Sequence, residues 1–122
     1  MQLVEQRDES LLLVRFVSGA AVMVGDRELR ASFVLTPDRC LEDFPATSLQ
    51  ELDDAVIDEV LALDPALVLI GTGLRQHLPS PALMAGFLRH GIGLECMDSH
   101  AAARTYNLLA SEGRKVAAIF LL

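Results

Sequence analysis

An uninterrupted apolar run, Leu67-Val68-Leu69-Ile70, followed by Gly71, most constrains the fold of this chain. Such runs are typical of strands that are covered on both faces, because neither face meets water. A second apolar run, Val116–Leu122, lies in a strand predicted at residues 115–122, and a shorter, mostly apolar run lies in a strand predicted at residues 94–97. Helical segments separate the three runs. The C-terminal half therefore predicts a β-α-β-α-β segment with right-handed crossovers.

The two helices between these strands carry start and stop signals. The first is expected at residues 81–90, with Pro81 in the first turn, where a missing amide costs nothing. Either Asp98 or Ser99 caps the second helix, which is expected to run to about residue 112. Gly113 then ends this helix, because glycine tolerates the left-handed conformation that closes many helices.

An earlier helix is predicted to begin at Ser48. The sequence Ser48-Leu49-Gln50-Glu51 has the spacing of a capping box, in which hydroxyl and carboxylate satisfy each other's free amides. Apolar residues recur at helical spacing at Leu52, Val56, Val60 and Leu63. The opposite face is acidic and carries Asp53, Asp54, Asp58 and Glu59. We interpret this acidic face as solvated, with a partner surface or a weak cation site as the alternatives.

The N-terminal third predicts a β meander. Strands are expected at residues 11–17, 20–24 and 27–35, joined by turns at Ser18-Gly19 and Gly25-Asp26. Pro37 ends the third strand because proline cannot donate to a β ladder. Residues 38–47 are expected to form an irregular connection. Together with the C-terminal segment, the meander indicates the α/β class.

Length and charge exclude several classes of protein. A chain of 122 residues predicts a single domain, spanning residues 1–122. The net charge is −7, which disfavours binding to the phosphates of nucleic acid. No apolar run reaches the roughly 18 residues of a membrane span. The N-terminus lacks the pattern of a secretory signal, so we expect a cytoplasmic protein.

The two cysteines and three histidines lack the spacing of a metal site. Cys96 falls in a predicted strand, where we expect a small buried apolar side chain, and Cys40 falls in a loop as a free thiol. In a reducing compartment a disulfide between them is not expected. No pair of histidines is four residues apart on a helix. We therefore predict no metal and no cofactor.

Two loops at the carboxyl ends of predicted strands form the first candidate site. The residues of this candidate crevice are Gly71, Thr72, Gly73, Asp98, Ser99 and His100. Ligands bind at this edge in α/β folds, and free amides at a helix N-terminus suit an anion. The full dinucleotide and P-loop motifs are absent, so a simple strand-exit turn is the alternative. Arg75 and His77 are expected at the rim.

A second group of polar side chains lies on and after the last helix. This candidate polar patch comprises Arg104, Thr105, Tyr106, Asn107, Glu112 and Arg114. If exposed, these residues form a recognition surface. If buried, they brace the fold, with a Glu112–Arg114 ion pair tying the helix to the last strand. Neither group contains a nucleophile, base and orienting residue at recognisable spacing, so no catalytic residue is assigned.

These residues together resemble one widespread family. Gly71-Thr72-Gly73, Gly91-Ile92, Glu95, Met97, Ala102, Thr105-Tyr106-Asn107 and Glu112-Gly113-Arg114 stand in the order found in small prokaryotic domains of unknown function similar to mitochondrial complex I assembly factor 3. The resemblance covers about residues 10–122. It implies a three-layer α/β domain with a mixed central sheet, and a protein-binding role without catalysis in the mitochondrial relative.

Three functional hypotheses follow. The first is a non-enzymatic protein-interaction or assembly module, favoured by the resemblance and by the missing catalytic set. The second is a small-molecule or anion-binding domain, with or without catalysis, that uses the candidate crevice. The third is a purely structural domain that forms homo-oligomers. The expected partner is another protein, which the sequence does not identify.

Overall fold

The computed structural model describes residues 11–122, in which strands and helices alternate as the sequence predicts. The strands are β1 (Val14–Val17), β2 (Val22–Val24), β3 (Arg27–Leu29), β4 (Phe33–Thr36), β5 (Arg39–Leu41), β6 (Leu67–Gly71), β7 (Gly93–Met97) and β8 (Val116–Phe120). The α-helices are α1 (Asp54–Leu61), α2 (Pro81–Leu88) and α3 (Ser99–Ser111), and a 3-10 turn spans Leu49–Glu51. The predictions that concern residues 1–10, including the signal segment, lie outside the described residues.

Two sheets organise the described chain. Strands β1, β2 and β3 form a three-stranded antiparallel meander. The central sheet has the order β5-β4-β8-β6-β7, in which β6 is parallel to β7 and β8 while β4 is antiparallel to β5 and β8. The central sheet is therefore mixed, and the C-terminal β-α-β-α-β segment supplies its three parallel strands. All five residues of β8 are buried, as its apolar sequence requires.

The two faces of the central sheet bury separate hydrophobic clusters. Helices α1 and α2 cover one face, where Val60 and Phe87 pack against Val68 and Ile119. Helix α3 and the meander cover the other face. There the small side chains of α3 let it approach the sheet closely, and Tyr106 is its largest fully buried side chain. This arrangement confirms the three-layer α/β fold.

The predicted third strand, residues 27–35, is two strands in different sheets. Residues 30–32 connect β3 in the meander to β4 in the central sheet. Ser32 fixes the crossing, because its buried Oγ accepts a hydrogen bond from Leu122 N at 2.9 Å and its C=O accepts one from Phe44 N. The alternating pattern persists across the break because Leu29 and Phe33 enter the same cluster.

The predicted helix start at Ser48 is wrong by five residues. Residues 49–51 form only a 3-10 turn, and Ser48 makes no side-chain cap. Glu51 instead accepts hydrogen bonds from the N–H and hydroxyl of Thr47, at 2.7 and 2.8 Å, which lower the pKa of its carboxyl group. The true cap is Asp53, whose carboxylate accepts from Val56 N at 2.9 Å.

Two connections also differ from the prediction. The loop expected at residues 38–47 contains β5, which carries Cys40 in a strand rather than a loop. The Gly71-Thr72-Gly73 turn leads into an extended loop, and the next helix begins only at Pro81. Ser80 caps that helix through its hydroxyl, which accepts from Leu83 N at 3.1 Å.

Candidate functional site

The structure brings the two loops of the candidate crevice together. Gly73 N donates to Ser99 Oγ at 2.9 Å, and Ser99 N donates to Gly73 C=O at 2.8 Å. Thr72 N donates to Met97 C=O at 2.9 Å. The Thr72 hydroxyl donates to Arg75 C=O at 2.6 Å and accepts from His77 N at 3.1 Å. The loop after β6 is thus fastened to the loop after β7 by reciprocal hydrogen bonds.

These hydrogen bonds between the two loops use backbone amides that a bound anion would need. Thr72 N, Gly73 N and Ser99 N all donate within the chain. The Asp98 carboxylate caps α3 and accepts from Ala101 N at 2.9 Å, which places a negative charge at the helix N-terminus. Both effects work against an anion at this point, because bound anions require free donors and a positive local field.

Gly71 lets α3 approach the central sheet. A Cβ built on Gly71 would lie 3.1 Å from Phe120 Cδ1, 3.1 Å from Ser99 Oγ and 3.2 Å from Ala102 Cβ. These distances are shorter than ordinary van der Waals contacts, so any larger residue would push the helix away. Gly73 has a φ of +94°, in the left-handed region that favours glycine. Gly71 is therefore explained by the close contact of strand and helix, and Gly73 by its backbone conformation.

The candidate polar patch divides into an inner and an outer part. In the inner part, the buried Tyr106 hydroxyl donates to Leu12 C=O at 2.7 Å. Asn107 Oδ1 accepts from Val14 N at 2.8 Å, and its Nδ2 donates to Val14 C=O at 2.7 Å. These contacts join α3 to the start of β1. Tyr106 and Asn107 therefore brace the N-terminal meander against the helix.

The outer part of the polar patch faces solvent. Arg104, Glu112 and Arg114 are exposed, and Thr105 is half-buried. Within residues 11–122, Glu112 and Arg114 form no ion pair with each other. The last strand is tied instead by Lys115, whose Nζ lies 2.8 Å from Asp64 Oδ2, a contact that lowers the pKa of that carboxyl group.

A groove between β1 and α3 is the feature that sequence reasoning missed. This groove, the β1–α3 groove, has a volume of about 380 Å³. Its lining comprises Val14, Arg15, Phe16, Val17, His100, Ala103, Arg104 and Asn107. His100 and Arg104 thus come together, but with β1 rather than with the candidate crevice. The available sequence signal was Phe16, an aromatic residue beside Arg15 in the predicted first strand. Simple alternation would place it on the same face as the buried Val14, but a register shift of β1 between Val14 and Phe16 leaves its side chain exposed.

A larger cavity lies at the opposite end of α3. It has a volume of about 570 Å³ and borders the turn that contains Gly113, with Arg39, Arg114, Asp38 and Asp64 on its rim. Positive and negative side chains are mixed there. None of the candidate crevice residues contacts this cavity. Arg114 is the one exposed member of the polar patch that lines it.

Burial shifts three side-chain pKa values in the described chain, all upward. Desolvation raises the pKa of the Cys96 thiol to about 11, and it raises the pKa of the Tyr106 hydroxyl as well. Burial and the nearby Glu42 raise the pKa of Cys40. A thiol with a raised pKa is a poor nucleophile, because only the thiolate reacts readily. Neither cysteine is therefore prepared for chemistry.

Comparison with known proteins agrees with this fold. Residues 14–121 match the family described as "Protein of unknown function (DUF498/DUF598)". A Xanthomonas campestris protein solved by NMR is 48% identical over 90% of this chain and 83% of its own, with a TM-score of 0.83. A Bordetella pertussis protein described as a Mth938-like domain is 26% identical over 92% of this chain and 86% of its own, with a TM-score of 0.78.

One curated relative is named as a membrane protein. The "13 kDa major membrane protein" of Francisella tularensis subsp. holarctica is 36% identical over 73 residues, which are 60% of this chain and 59% of that protein. In the part of the chain that the structure describes, no helix has the length and apolar character needed to cross a bilayer. The family that the sequence resembles is confirmed, and the chain belongs to the DUF498/DUF598 family of proteins of unknown function.

Proposed function

We propose that the chain is a non-enzymatic protein-interaction module. The observation that carries this proposal is the exposure of two large apolar side chains at one end of the domain, Phe16 at 64% and Leu74 at 73%. Exposed large apolar side chains on neighbouring elements support an interaction role. Phe16 lies in β1, and Gly19 lies in the turn between β1 and β2. The Leu74 side chain lies beside this turn, because a Cβ added to Gly19 would be 3.9 Å from Leu74 Cδ1. We call Phe16, Gly19 and Leu74 the hairpin surface.

The rigidity beneath the hairpin surface supports the same role. Tyr106 and Asn107 hold β1 to α3, and Ser99 holds the loop that carries Leu74. A surface held by such bonds loses little conformational entropy on binding, which favours affinity. The second hypothesis, an anion in the candidate crevice, has less support, because the amides of Thr72, Gly73 and Ser99 already donate within the chain.

The name of the Francisella relative bears on the partner. That protein is named a membrane protein, whereas no described helix of this chain can span a bilayer. Binding to a membrane-anchored protein is compatible with both observations. The cytoplasmic location expected from the sequence stays a prediction.

Affinity capture from the native lysate, read by mass spectrometry, tests the interaction role. The test variant carries Phe16→Ser and Leu74→Ser. The control carries Met84→Ser and Leu88→Ser, which remove two exposed apolar side chains from α2 instead. We expect a partner that the wild type and the control retain and the test variant loses, with all three proteins equally folded. A partner list that is the same for all three proteins would contradict the proposal.

A thermal-shift screen covers the small-molecule alternative. A ligand of the candidate crevice at 100 times its dissociation constant stabilises the folded state by about 2.7 kcal/mol, which is easily measured in a domain of this size. Stabilisation by a nucleotide, phosphate or carboxylate that Ser99→Ala removes would favour the alternative. No stabilisation is the result expected for an interaction module.

A further inference from the structure

We propose that the β1–α3 groove binds an extended, acidic segment of the partner protein by adding it as a strand to β1. This inference rests on the interaction role and names the chemistry of the partner. Three observations carry it: the open backbone edge of β1, the positive charge of the groove, and the exposed aromatic ring of Phe16.

The backbone edge of β1 is open on the side of the groove. Among residues 11–122, β1 is an edge strand of the meander and pairs only with β2. Asn107 already satisfies the N–H and C=O of Val14 with its side-chain amide, in the way that a neighbouring strand would. Asn107 therefore closes one end of the groove. An added strand would enter from the end nearer the β1–β2 turn.

The next open position on this edge is Val17. Ser18 N donates to Ala21 C=O across the hairpin, so the hydrogen-bonded position beside the turn is Ser18 and Ala21. Val17 pairs with Val22 at the following position. Because hydrogen-bonding direction alternates along a strand, the N–H and C=O of Val17 point away from β2. Within residues 11–122 no side chain or loop backbone bonds to them.

The charge of the groove is opposite to that of the whole protein. The chain has a net charge of −7, yet the groove is lined by Arg15, His100 and Arg104 and by no carboxylate. Arg15 has only a long and exposed contact, 3.7 Å, with Asp26. Arg104 forms no ion pair within the described chain. Charge complementarity of this kind selects acidic partners and rejects basic ones.

The size of the groove suits a short extended segment. Four residues of β1 line it, and an extended segment of that length spans roughly 13 Å. Main-chain hydrogen bonds to a strand edge supply affinity, and alternate side chains supply specificity. An apolar side chain of the segment would contact Phe16, while acidic side chains on either side of it would face Arg15 and Arg104.

The test uses the full chain labelled with ¹⁵N and synthetic peptides of about eight residues. One peptide set alternates Glu with Val, Leu or Phe, and a matched set replaces Glu by Lys. We expect the acidic set to shift the amide resonances of Val14–Val17 and of residues 100–107 on α3. Hydrogen exchange at the Val17 amide should slow, because this amide gains an acceptor. Binding should weaken with added salt.

Two variants separate the contributions of charge and backbone. Arg104→Glu should weaken binding of the acidic peptides by roughly tenfold or more, since attraction is replaced by repulsion. Arg89→Glu, the same change at the exposed end of α2, should leave binding unaltered. Val17→Pro removes the N–H that the peptide needs but the hairpin does not use, so it should abolish binding while the spectrum stays dispersed.

The possible outcomes distinguish this inference from the interaction role. Equal binding of acidic and basic peptides, or no shifts at the groove with either set, would overturn the inference. Shifts at the groove that depend on protein concentration alone would assign it to a second copy of the chain and overturn it as well. If the captured partner depends on Phe16 and Leu74 but tolerates Arg104→Glu and Val17→Pro, the interaction role stands and the strand addition is wrong.

Discussion

At the scale of single residues, Asn107 shows how a helix side chain holds a distant strand. It lies on α3, yet both of its hydrogen bonds reach Val14, 93 positions earlier in the chain. An asparagine amide offers one acceptor and two donors, so it matches both the N–H and the C=O of an extended residue. Asn107 thus extends the hydrogen bonding of β1 at an edge where the described part of the chain places no strand.

Replacing Asn107 by alanine should destabilise the fold by about 1–3 kcal/mol. The substitution removes two hydrogen bonds and leaves the half-buried N–H and C=O of Val14 unsatisfied. Equilibrium urea denaturation measures the change, with Leu108→Ala as the control, because this neighbour on α3 is 60% exposed. The prediction fails if both variants have the stability of the wild type.

The sequence identified Tyr106 and Asn107 as functional candidates but not what they contact. Polar residues on a helix between small apolar ones were the local signal that singled them out. Their acceptors, Leu12 C=O and Val14 C=O, are backbone carbonyl groups, which every residue has. No residue type marks such a partner. The distinction between recognition and bracing therefore needed the tertiary fold.

At the scale of elements, the contact of β6 with α3 determines how closely the layers pack. The parallel pairing of β6 with β7 and β8 was predictable, since three apolar runs alternate with helices. Close packing required a residue without a side chain at Gly71 and a small residue opposite, Ala102. These requirements explain the glycine without reference to a ligand.

Gly71→Ala should destabilise the domain by about 1–3 kcal/mol through overpacking, since the new methyl group would lie only 3.1 Å from Phe120 Cδ1 and Ser99 Oγ. Gly19→Ala is the matched control, because its nearest contact would be an ordinary 3.9 Å. Thermal denaturation of both variants compares them directly. A Gly71→Ala protein as stable as Gly19→Ala would show that α3 moves aside without cost.

The elements that the sequence did not predict depend on long-range contacts. The alternation of apolar residues over residues 27–35 is a true local pattern, but it contains no information about which sheet each half joins. Ser32 bonds to Leu122, at the other end of the chain, and that contact decides the break between β3 and β4. The capping motif at Ser48 failed similarly, because Asp53 offered a competing cap five residues later.

At the scale of the whole molecule, the three-layer fold contains two hydrophobic clusters, one on each face of the central sheet. Strand β8 lies at the centre of that sheet and contributes to both clusters. The Cys96 thiol and the Tyr106 hydroxyl border these clusters, and desolvation raises the pKa of each. Cys96, on edge strand β7, faces the cluster under α1 and α2, and Tyr106 faces the other. The pH dependence of stability therefore reports on the packing of both layers.

Stability should fall between about pH 9 and 11, and Cys96 should account for part of the loss. The Cys96 pKa is about 11 in the folded protein, above its ordinary value of 9.0. Below pH 9 the Cys96 thiol is protonated in both the folded and the unfolded state, so it does not contribute to the pH dependence of stability. As pH rises further, the unfolded chain releases the proton first, so unfolding becomes more favourable. Because solvent near this sheet edge reduces the effect of the pKa shift, the free energy of unfolding should fall by about 1–2 kcal/mol through Cys96.

Denaturation of the wild type and of Cys96→Ala at a series of pH values isolates this contribution. The alanine variant will have a lower stability at neutral pH, because it leaves a small cavity. The informative quantity is therefore the change from pH 8 to pH 11, which should be smaller in the variant. The raised pKa of Tyr106 adds a further loss at higher pH that both proteins share. If the free energy of unfolding changed with pH equally in the wild type and in Cys96→Ala, solvent would reach the thiol and the α1–α2 layer would be open beside β7.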